Sequence, residues 1–315
     1  MSKILVTGGA GNIGSALVEK LLQSKDNHII IVDNLSTGFL SKLPREKNDR
    51  WDFIKSDVNN LKAISTIMNS YNFDYVFHFA AVVGVLRTQQ NPLSVLDDIK
   101  GIRNVLDCSK NTSVKRVFFS SSSEVYGEPV SLPQHEHTTP LNSRLPYAVV
   151  KNVGESYCRS YQQEYGLNYS IFRFFNTYGP NQSTDFVVAR FLAAALKNQD
   201  ITIYGDGLQT RTFTYVDDTI DTCLACLNND KYVNDVINIG SDQLFTILDL
   251  AKLIISMTNS NSKIIHLPPL KDGDMTRRQP DNSNMKTVLN RPLVTLEEGL
   301  KKMIASKYFL SSIGL

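Results

Sequence analysis

Short, uniformly apolar segments alternate along the chain with longer segments whose apolar residues recur every three or four positions. The first kind is typical of strands buried on both faces, and the second is typical of helices with one buried side. The pattern predicts strands at 3–7, 28–32, 53–54, 75–79, 114–121 and 169–174, and helices at 13–22, 60–68, 92–110 and from Pro146 until Gly166 stops it. Strands that alternate with helices form βαβ units, whose right-handed crossovers build a parallel sheet.

The regular alternation weakens after Asn176. We therefore predict an α/β fold in which residues 1–175 form a doubly wound parallel sheet with its helices. Residues 176–315 are expected to form mainly a smaller substrate-binding lobe, with segments around 212–240 returning to the sheet. Because α/β folds bind ligands at the carboxyl edge of the sheet, the lobe should cover that edge.

Composition narrows the class of protein. The chain has 315 residues, with 33 Lys and Arg against 31 Asp and Glu, which gives a net charge of +2. This balance argues against nucleic acid as a partner. No apolar run approaches the roughly 20 residues of a membrane span, and the first residues lack a signal-peptide pattern. We expect a soluble, cytoplasmic protein that binds neither nucleic acid nor membrane.

The spacing of Cys223 and Cys226 is found in redox and metal-binding motifs. Here the two lie in a segment whose apolar residues have helical spacing, and no second Cys pair or nearby His completes a metal site. We predict that both cysteines pack inside a helix and that the protein has no metal site.

A glycine-rich turn follows the first predicted strand and opens the first predicted helix. It satisfies both Gly9-x-Gly11-x-x-Gly14 and Gly8-x-x-Gly11-x-x-Gly14. Small residues let the backbone approach a pyrophosphate, which the free N–H groups of the helix N-terminus can bind. Asp33 ends the second strand, about 20 residues further on, where a carboxylate binds ribose hydroxyls and repels a 2′-phosphate. Since no Arg or Lys occurs in 34–38, these features predict a Rossmann-type site for NAD rather than NADP.

Tyr147 and Lys151 stand one helical turn apart on the long helix, and hence on one face. An ammonium group near a phenol favours the phenolate, so this pair predicts that Tyr147 acts as a base near neutral pH. Lys151 is also placed to reach a cofactor ribose.

Taken in order, these features resemble the extended short-chain dehydrogenase/reductase family of NAD-dependent nucleotide-sugar epimerases, dehydratases and decarboxylases. The resemblance covers nearly the whole chain. Besides the glycine turn and the Tyr–Lys pair, it is carried by segments 57–58, 78–81, 120–127, 174–180, 204–207, 209–211 and 277–281. Two residues depart from the family pattern: Asn12 replaces a common aromatic residue, and Asp98 stands where Asn is usual.

The resemblance implies a role for each matching residue. The catalytic residues would be Ser122, Glu124, Tyr147 and Lys151. The cofactor would be bound by Gly8, Gly11, Asn12, Ile13, Gly14, Asp33, Asn34, Ser36, Thr37, Gly38, Asp57, Val58, Phe79, Ala80, Ala81, Tyr147 and Lys151. The nucleotide-diphosphate sugar would be bound by Ser122, Ser123, Asn176, Tyr204, Arg211 and Arg278, with an Arg fork suited to phosphate oxygens.

The family chemistry begins with oxidation at C4 of the sugar, and the 4-keto sugar then has several fates. The dipeptide Ser123-Glu124 resembles the one in decarboxylases of UDP-glucuronate and in some dehydratases, whereas many other dehydratases carry Asp-Glu at this place. The start of the long helix resembles epimerases and dehydratases, but segments 209–213 and 277–281 resemble decarboxylases. We predict a 4-epimerase, with a UDP-glucuronate-type decarboxylase as the first alternative and a 4,6-dehydratase or net 4-dehydrogenase behind it.

Two further expectations follow from the resemblance. Members of the family that lost catalysis serve as dinucleotide sensors, and this alternative is disfavoured because Ser122, Tyr147 and Lys151 are all retained. Family members commonly pair through two helices of each subunit. We therefore expect a homodimer that uses 92–110 and 146–165.

Overall fold

The computed structural model describes residues 2–46, 48–269 and 277–315. The strands are β1 (Ser2–Thr7), β2 (Asn27–Asp33), β3 (Trp51–Lys55), β4 (Tyr75–His78), β5 (Arg116–Ser122), β6 (Tyr169–Phe174), β7 (Thr177–Tyr178), β8 (Ile201–Tyr204), β9 (Thr210–Thr212), β10 (Thr214–Tyr215), β11 (Asp235–Ile239), β12 (Leu244–Thr246) and β13 (Ile264–Leu267). The helices are α1 (Asn12–Leu21), α2 (Leu61–Tyr71), α3 (Val85–Gln90), α4 (Pro92–Lys110), α5 (Pro146–Tyr165), α6 (Val187–Leu196), α7 (Val216–Asn228), α8 (Ile247–Thr258), α9 (Ser283–Leu289), α10 (Leu296–Ile304) and α11 (Lys307–Ser312), with short 3-10 helices at Leu40–Lys42 and Ser123–Tyr126.

Seven parallel strands form the central sheet in the order β11-β6-β5-β4-β1-β2-β3. The predicted α/β fold with a doubly wound parallel sheet is therefore confirmed. The predicted strands and helices are all present, with ends that differ by a few residues. Helix α2, for example, runs on through the polar residues Asn69 and Ser70 to a left-handed cap at Asn72, and such residues carry no apolar signal.

The two faces of the sheet belong to separate cores because successive side chains of a strand point to opposite faces. On β1, Leu5 packs with residues of α2, α4 and α5. Ile4 and Val6 pack with residues of α1, α7 and the helices of the second half of the chain. Cys223 and Cys226 lie fully buried in this second core, which agrees with the predicted packing role.

The second half of the chain adds three small sheets, which pair β7 with β10, β8 with β13 and β9 with β12. Helices α6 and α8 pack on each other, and Phe191 of α6 belongs to the same core as one face of the central sheet. These elements are thus joined to the central sheet by continuous apolar packing. Within the described ranges, no helix is long and apolar enough to cross a membrane.

Candidate active site

The glycine turn joins β1 to α1 and requires small residues at defined points. Gly8 has a φ of +72°, and a Cβ there would lie 2.6 Å from the backbone nitrogen of Ala80. A Cβ at Gly14 would collide with the carbonyl oxygen of Gly8. The residue that caps α1 is Gly11, which has no side chain to occupy the free N–H groups of the first turn. The helix N-terminus is therefore open to an anionic ligand.

Asp33 lies at the end of β2, against this turn. Its two carboxylate oxygens accept the backbone N–H groups of Ala10 at 3.0 Å and of Leu35 at 2.8 Å. A carboxylate has about four lone-pair sites, so each oxygen can still accept a hydroxyl. Gly38 packs directly on this group, since a Cβ there would lie 2.8 Å from the carboxylate oxygen Oδ1.

A cleft of about 770 Å³ extends from the glycine turn across the carboxyl edge of the sheet. That volume lies within the usual range for ligand-binding clefts. Most predicted site residues line it: Gly8, Gly11, Asn12, Ile13, Gly14, Asp33, Asn34, Ser36, Thr37, Asp57, Val58, Phe79, Ala80, Ala81, Ser122, Ser123, Glu124, Tyr147, Lys151, Asn176 and Arg278. Gly38, Tyr204 and Arg211 are not part of its lining.

Ser122 ends β5 at the floor of the cleft. Its hydroxyl accepts the backbone N–H of Glu124 at 3.2 Å, which fixes the start of the 3-10 helix Ser123–Tyr126. The same hydroxyl interacts with the phenol of Tyr147, which enters from the first turn of α5. Pro146 at the helix start supplies a preset φ without sacrificing a hydrogen bond. The end of β5 and the start of α5 thus bring Ser122 and Tyr147 together.

Lys151 lies one turn further along α5 and is only 3% exposed. Its ammonium donates to the carbonyl oxygen of Ser120 at 2.7 Å and to the hydroxyl of Ser120 at 3.2 Å. It lies 5.7 Å from the centroid of the Tyr147 ring. Burial lowers the pKa of Lys151 to about 8, although the nearby charge of Asp98 raises it.

The protonation of Tyr147 differs from the sequence-based expectation. Burial, followed by the charge of Glu124, raises the pKa of Tyr147 well above its usual value, and the hydrogen bond from Ser122 only partly offsets this. Spacing predicted the neighbouring ammonium but could not predict the loss of hydration, which dominates here. The protein alone therefore keeps Tyr147 protonated at neutral pH.

Glu124 and Arg278 form an ion pair at the cleft, with 3.3 Å between Oε1 and Nη1. Both side chains are largely buried, at 17% and 7% exposure. The segment that carries Arg278 is fixed to Gln134, whose N–H donates to the carbonyl of Gln279 and whose carbonyl accepts the N–H of Asp281. Arg278 is expected on the substrate diphosphate, and that expectation stays a prediction; the structure shows the guanidinium paired with Glu124, two positions after Ser122.

Three other predicted substrate residues have different surroundings. Asn176 lines the cleft and donates its amide to the carbonyl of Thr212 at 2.9 Å. Tyr204 ends β8, where the guanidinium of Arg190 lies 5.9 Å from its ring centroid. Arg211 lies on β9 and donates to the carbonyl of Thr210 at 2.8 Å. The structure does not bring the Tyr204 and Arg211 side chains into the cleft lining.

Sequence reasoning missed Lys42 and gave Asp98 no site role, although both line the cleft. Asp98 accepts the backbone N–H of Val82 at 2.7 Å. Burial, as the largest cause, raises the pKa of its carboxyl group. The departure of Asp98 from the family pattern was a usable signal for this position. Lys42 lies just beyond residues 34–38, and no local pattern in the sequence indicates that it is buried.

A fully buried polar network connects the elements that carry the candidate catalytic residues: β5, α5 and the 3-10 helix Ser123–Tyr126. Arg173 of β6 makes a two-pronged ion pair with Glu155 of α5, at 2.8 and 2.7 Å. Glu155 also accepts the hydroxyl of Ser121 at 2.6 Å, next to Ser122. A third donor of Arg173 reaches the phenol oxygen of Tyr126 at 2.8 Å, at the end of the turn that carries Glu124. The network therefore ties α5, β5 and the 3-10 helix into one rigid support.

The cleft fits an NAD molecule on two structural grounds: the close backbone approach at Gly8 and the open N-terminus of α1. Together with a Ser, a Tyr and a Lys at the same edge of the sheet, these features define a dinucleotide-dependent enzyme of the oxidoreductase type. The model of the NAD dependent epimerase/dehydratase family matches residues 4–240, well over half of the chain. The chain belongs to this family, and it is an NAD-dependent enzyme of the extended short-chain dehydrogenase/reductase type.

Individual relatives span several activities. A UDP-N-acetyl-alpha-D-glucosaminuronate decarboxylase of Bacillus cytotoxicus is 34% identical, over 96% of this chain and 96% of the relative. A putative UDP-glucose 4-epimerase of Methanocaldococcus jannaschii is also 34% identical, over 96% and 97%. Among solved structures, the UDP-glucose 4-epimerase of Thermotoga maritima with UDP-glucose is 34% identical, covers 99% of both chains and has a TM-score of 0.91.

Proposed function

We propose that the protein is a 4-epimerase of a nucleotide-diphosphate sugar and works through a 4-keto sugar. The observation that carries the C4 chemistry is the convergence of Ser122, Tyr147 and Lys151 on the cleft that begins at the glycine turn. Their positions match the family pattern, and both the M. jannaschii and T. maritima relatives bear the name UDP-glucose 4-epimerase.

In the proposed reaction Tyr147 releases its own proton to solvent once cofactor and sugar are bound, and its phenolate then accepts the proton of the sugar 4-hydroxyl, an oxygen that the hydroxyl of Ser122 holds in place. The ammonium of Lys151 lies 5.7 Å from the centroid of the Tyr147 ring and supplies a positive charge that favours the phenolate form of Tyr147. NAD, when bound, supplies the hydride acceptor and the positive charge of its oxidised ring. After the sugar has presented its other face, the hydride returns to C4 and Tyr147 gives its proton back to the C4 oxygen, which restores the hydroxyl.

The fate of the 4-keto sugar depends on Glu124. A dehydratase needs an acid/base group that removes the C5 proton and assists the loss of water. Glu124 is instead engaged by Arg278 at 3.3 Å, so the protein itself holds the carboxylate that would have to reach the C5 proton. The pair is also neutral as a whole, so a neutral hydroxymethyl group at C6 needs no further charge partner. The first point favours epimerisation over dehydration, and the second favours a hydroxymethyl sugar over a uronate.

Decarboxylation of a nucleotide-linked uronate is the second candidate. The specific observation in its favour is the guanidinium of Arg278, which could exchange Glu124 for a carboxylate at C6 of the sugar. A 4-keto uronate is a β-keto acid and loses carbon dioxide readily. The B. cytotoxicus relative is named as a decarboxylase of such a uronate.

Product analysis separates the two candidates. The purified enzyme is incubated with UDP-glucose, UDP-N-acetylglucosamine, UDP-glucuronate and UDP-N-acetylglucosaminuronate, and the products are identified by NMR. A 4-epimer with all carbons retained supports the proposal. A nucleotide pentose with released carbon dioxide would establish the second candidate instead, and no turnover of any sugar would contradict both.

We also propose a homodimer formed through α4 and α5. Leu93 and Leu96 of α4 and Val149 of α5 are exposed at 78%, 37% and 37%, so this side of the molecule presents apolar surface. Sedimentation equilibrium should give twice the chain mass for the wild type. A monomer at tens of micromolar protein would contradict this arrangement.

A further inference from the structure

Lys42 is a buried cation for which the described part of the chain supplies no paired anion. It ends the 3-10 helix Leu40–Lys42, is 7% exposed and lines the cleft. Among the described residues, no hydrogen bond or ion pair engages its ammonium, which lies 5.1 Å from the centroid of the Phe39 ring. Most buried lysines are paired, so this one requires an explanation.

The chain around Lys42 rests on the adenosine end of the proposed cofactor site. The N–H of Phe39 donates to the carbonyl of Ala10, in the glycine turn, at 3.1 Å. Gly38 packs against both Asp33 and Ala10. Lys42 therefore lies close to the two features that the sequence assigns to the dinucleotide: the glycine turn and the acid at the end of β2.

Asp33 does not neutralise Lys42 by direct pairing. Its oxygens accept the N–H groups of Ala10 and Leu35, and no ion pair within 4.0 Å joins it to Lys42 in the described part of the chain. Burial lowers the pKa of Lys42, and the charge of Asp33 only partly offsets this. A buried ammonium of this kind is unfavourable unless a ligand supplies the missing negative charge.

We propose that Lys42 binds a phosphate group of the dinucleotide at the adenosine end of the cleft. Lysine binds phosphate as a mobile point charge on a flexible stem, which suits a group held by one side of a cleft. Two phosphates can meet this description: the pyrophosphate that NAD and NADP share, and the 2′-phosphate that only NADP carries. In the second case Lys42 would weaken the discrimination against NADP that Asp33 alone predicts.

The test is binding rather than turnover. Protein freed of bound dinucleotide is titrated by calorimetry with NAD, NADP and adenosine. The variants are Lys42→Met, which keeps the length of the side chain, and Lys42→Arg, which keeps the charge. Lys62→Met, at an exposed position on α2, is the matched control. The Met variant should weaken binding of a phosphate-bearing ligand about 10-fold or more, the Arg variant should retain most of it, and adenosine should be unaffected.

The pattern of loss identifies the phosphate. Equal losses for NAD and NADP assign Lys42 to the pyrophosphate, and a loss for NADP alone assigns it to the 2′-phosphate. Losses below about twofold for both dinucleotides would overturn the proposal. An equal loss for adenosine would also overturn it, because adenosine has no phosphate and the residue would then shape the site only. Lys42→Gln gives the same comparison if the Met variant does not fold.

Discussion

Burial of the Lys151 ammonium should lower the free energy of unfolding of the protein at neutral pH. Its pKa is about 8 in the folded protein against an ordinary value of 10.5. The difference of about 2.5 corresponds to about 3 kcal/mol of folding free energy. Below pH 8 both folded and unfolded chains bind the proton, so the whole cost is present. Between pH 8 and 10.5 only the unfolded chain binds it, so stability rises with pH by about 1.4 kcal/mol per pH unit.

Lys151→Met removes this dependence. The free energy of unfolding is measured by urea titration of both proteins at pH 7.0, 8.0, 9.0 and 9.5. At pH 7 the variant should be as stable as the wild type or more so by about 1 kcal/mol, because release of the buried charge outweighs the loss of a donor for the carbonyl of Ser120. This advantage should shrink and reverse as the pH rises above 8, and the variant should have no measurable turnover.

The exposed Lys62 on α2 gives the matched control, because Lys62→Met should follow the wild type at every pH. Other groups that titrate in this range cancel in the difference between each variant and the wild type. If the difference in the free energy of unfolding between Lys151→Met and wild type is the same at every pH from 7 to 9.5, burial does not lower the pKa of Lys151 as described. A Lys151→Met variant less stable than wild type by several kcal/mol at pH 7 would refute the reasoning as well.

Five further substitutions test the site and its support. Tyr147→Phe keeps the ring and should retain NAD affinity, but it should lower turnover roughly 10²–10⁴-fold, measured with saturating sugar. Glu124→Gln should cost a 4-epimerase less than about 10-fold, and accumulation of a 4-keto sugar would instead favour dehydration. Arg278→Ala should raise KM clearly more than Arg211→Ala, because only the first lines the cleft; equal effects would contradict that difference. Arg173→Met should lower the free energy of unfolding by about 3–5 kcal/mol in urea titrations, and a loss below 1 kcal/mol would show that the buried network is not needed for folding.

The parallel sheet was predictable because each strand is a short apolar segment between amphipathic helices. The small sheets of the second half were not, because strands such as Thr177–Tyr178 and Thr214–Tyr215 are too short to show a period. In the sequence, the residues of β11 form only a short apolar run. Their place as an edge strand of the central sheet is visible only in the structure, where β11 pairs with β6.

The site, like the fold, has parts that local sequence patterns predict and parts that they do not. The glycine turn, Asp33 and the Tyr147–Lys151 pair are local patterns whose geometry follows from one turn or one helix face. The partnership of Glu124 with Arg278 joins residues far apart in the chain, so no local pattern could predict it. The direction of the Tyr147 pKa change depends on burial, which is a property of the packed fold and not of residue spacing.

The central claim is that the hydride leaves C4 of the sugar and returns to C4 with inversion. The most direct measurement uses the nucleotide sugar that the enzyme turns over. The sugar with deuterium at C4 is converted in ordinary water, the unlabelled sugar is converted in deuterium oxide, and both products are analysed by NMR. We expect an epimer inverted at C4 that retains the deuterium at C4 and takes up no solvent deuterium at C5. A product that has exchanged C5 with solvent, or that keeps its configuration at C4, would contradict it.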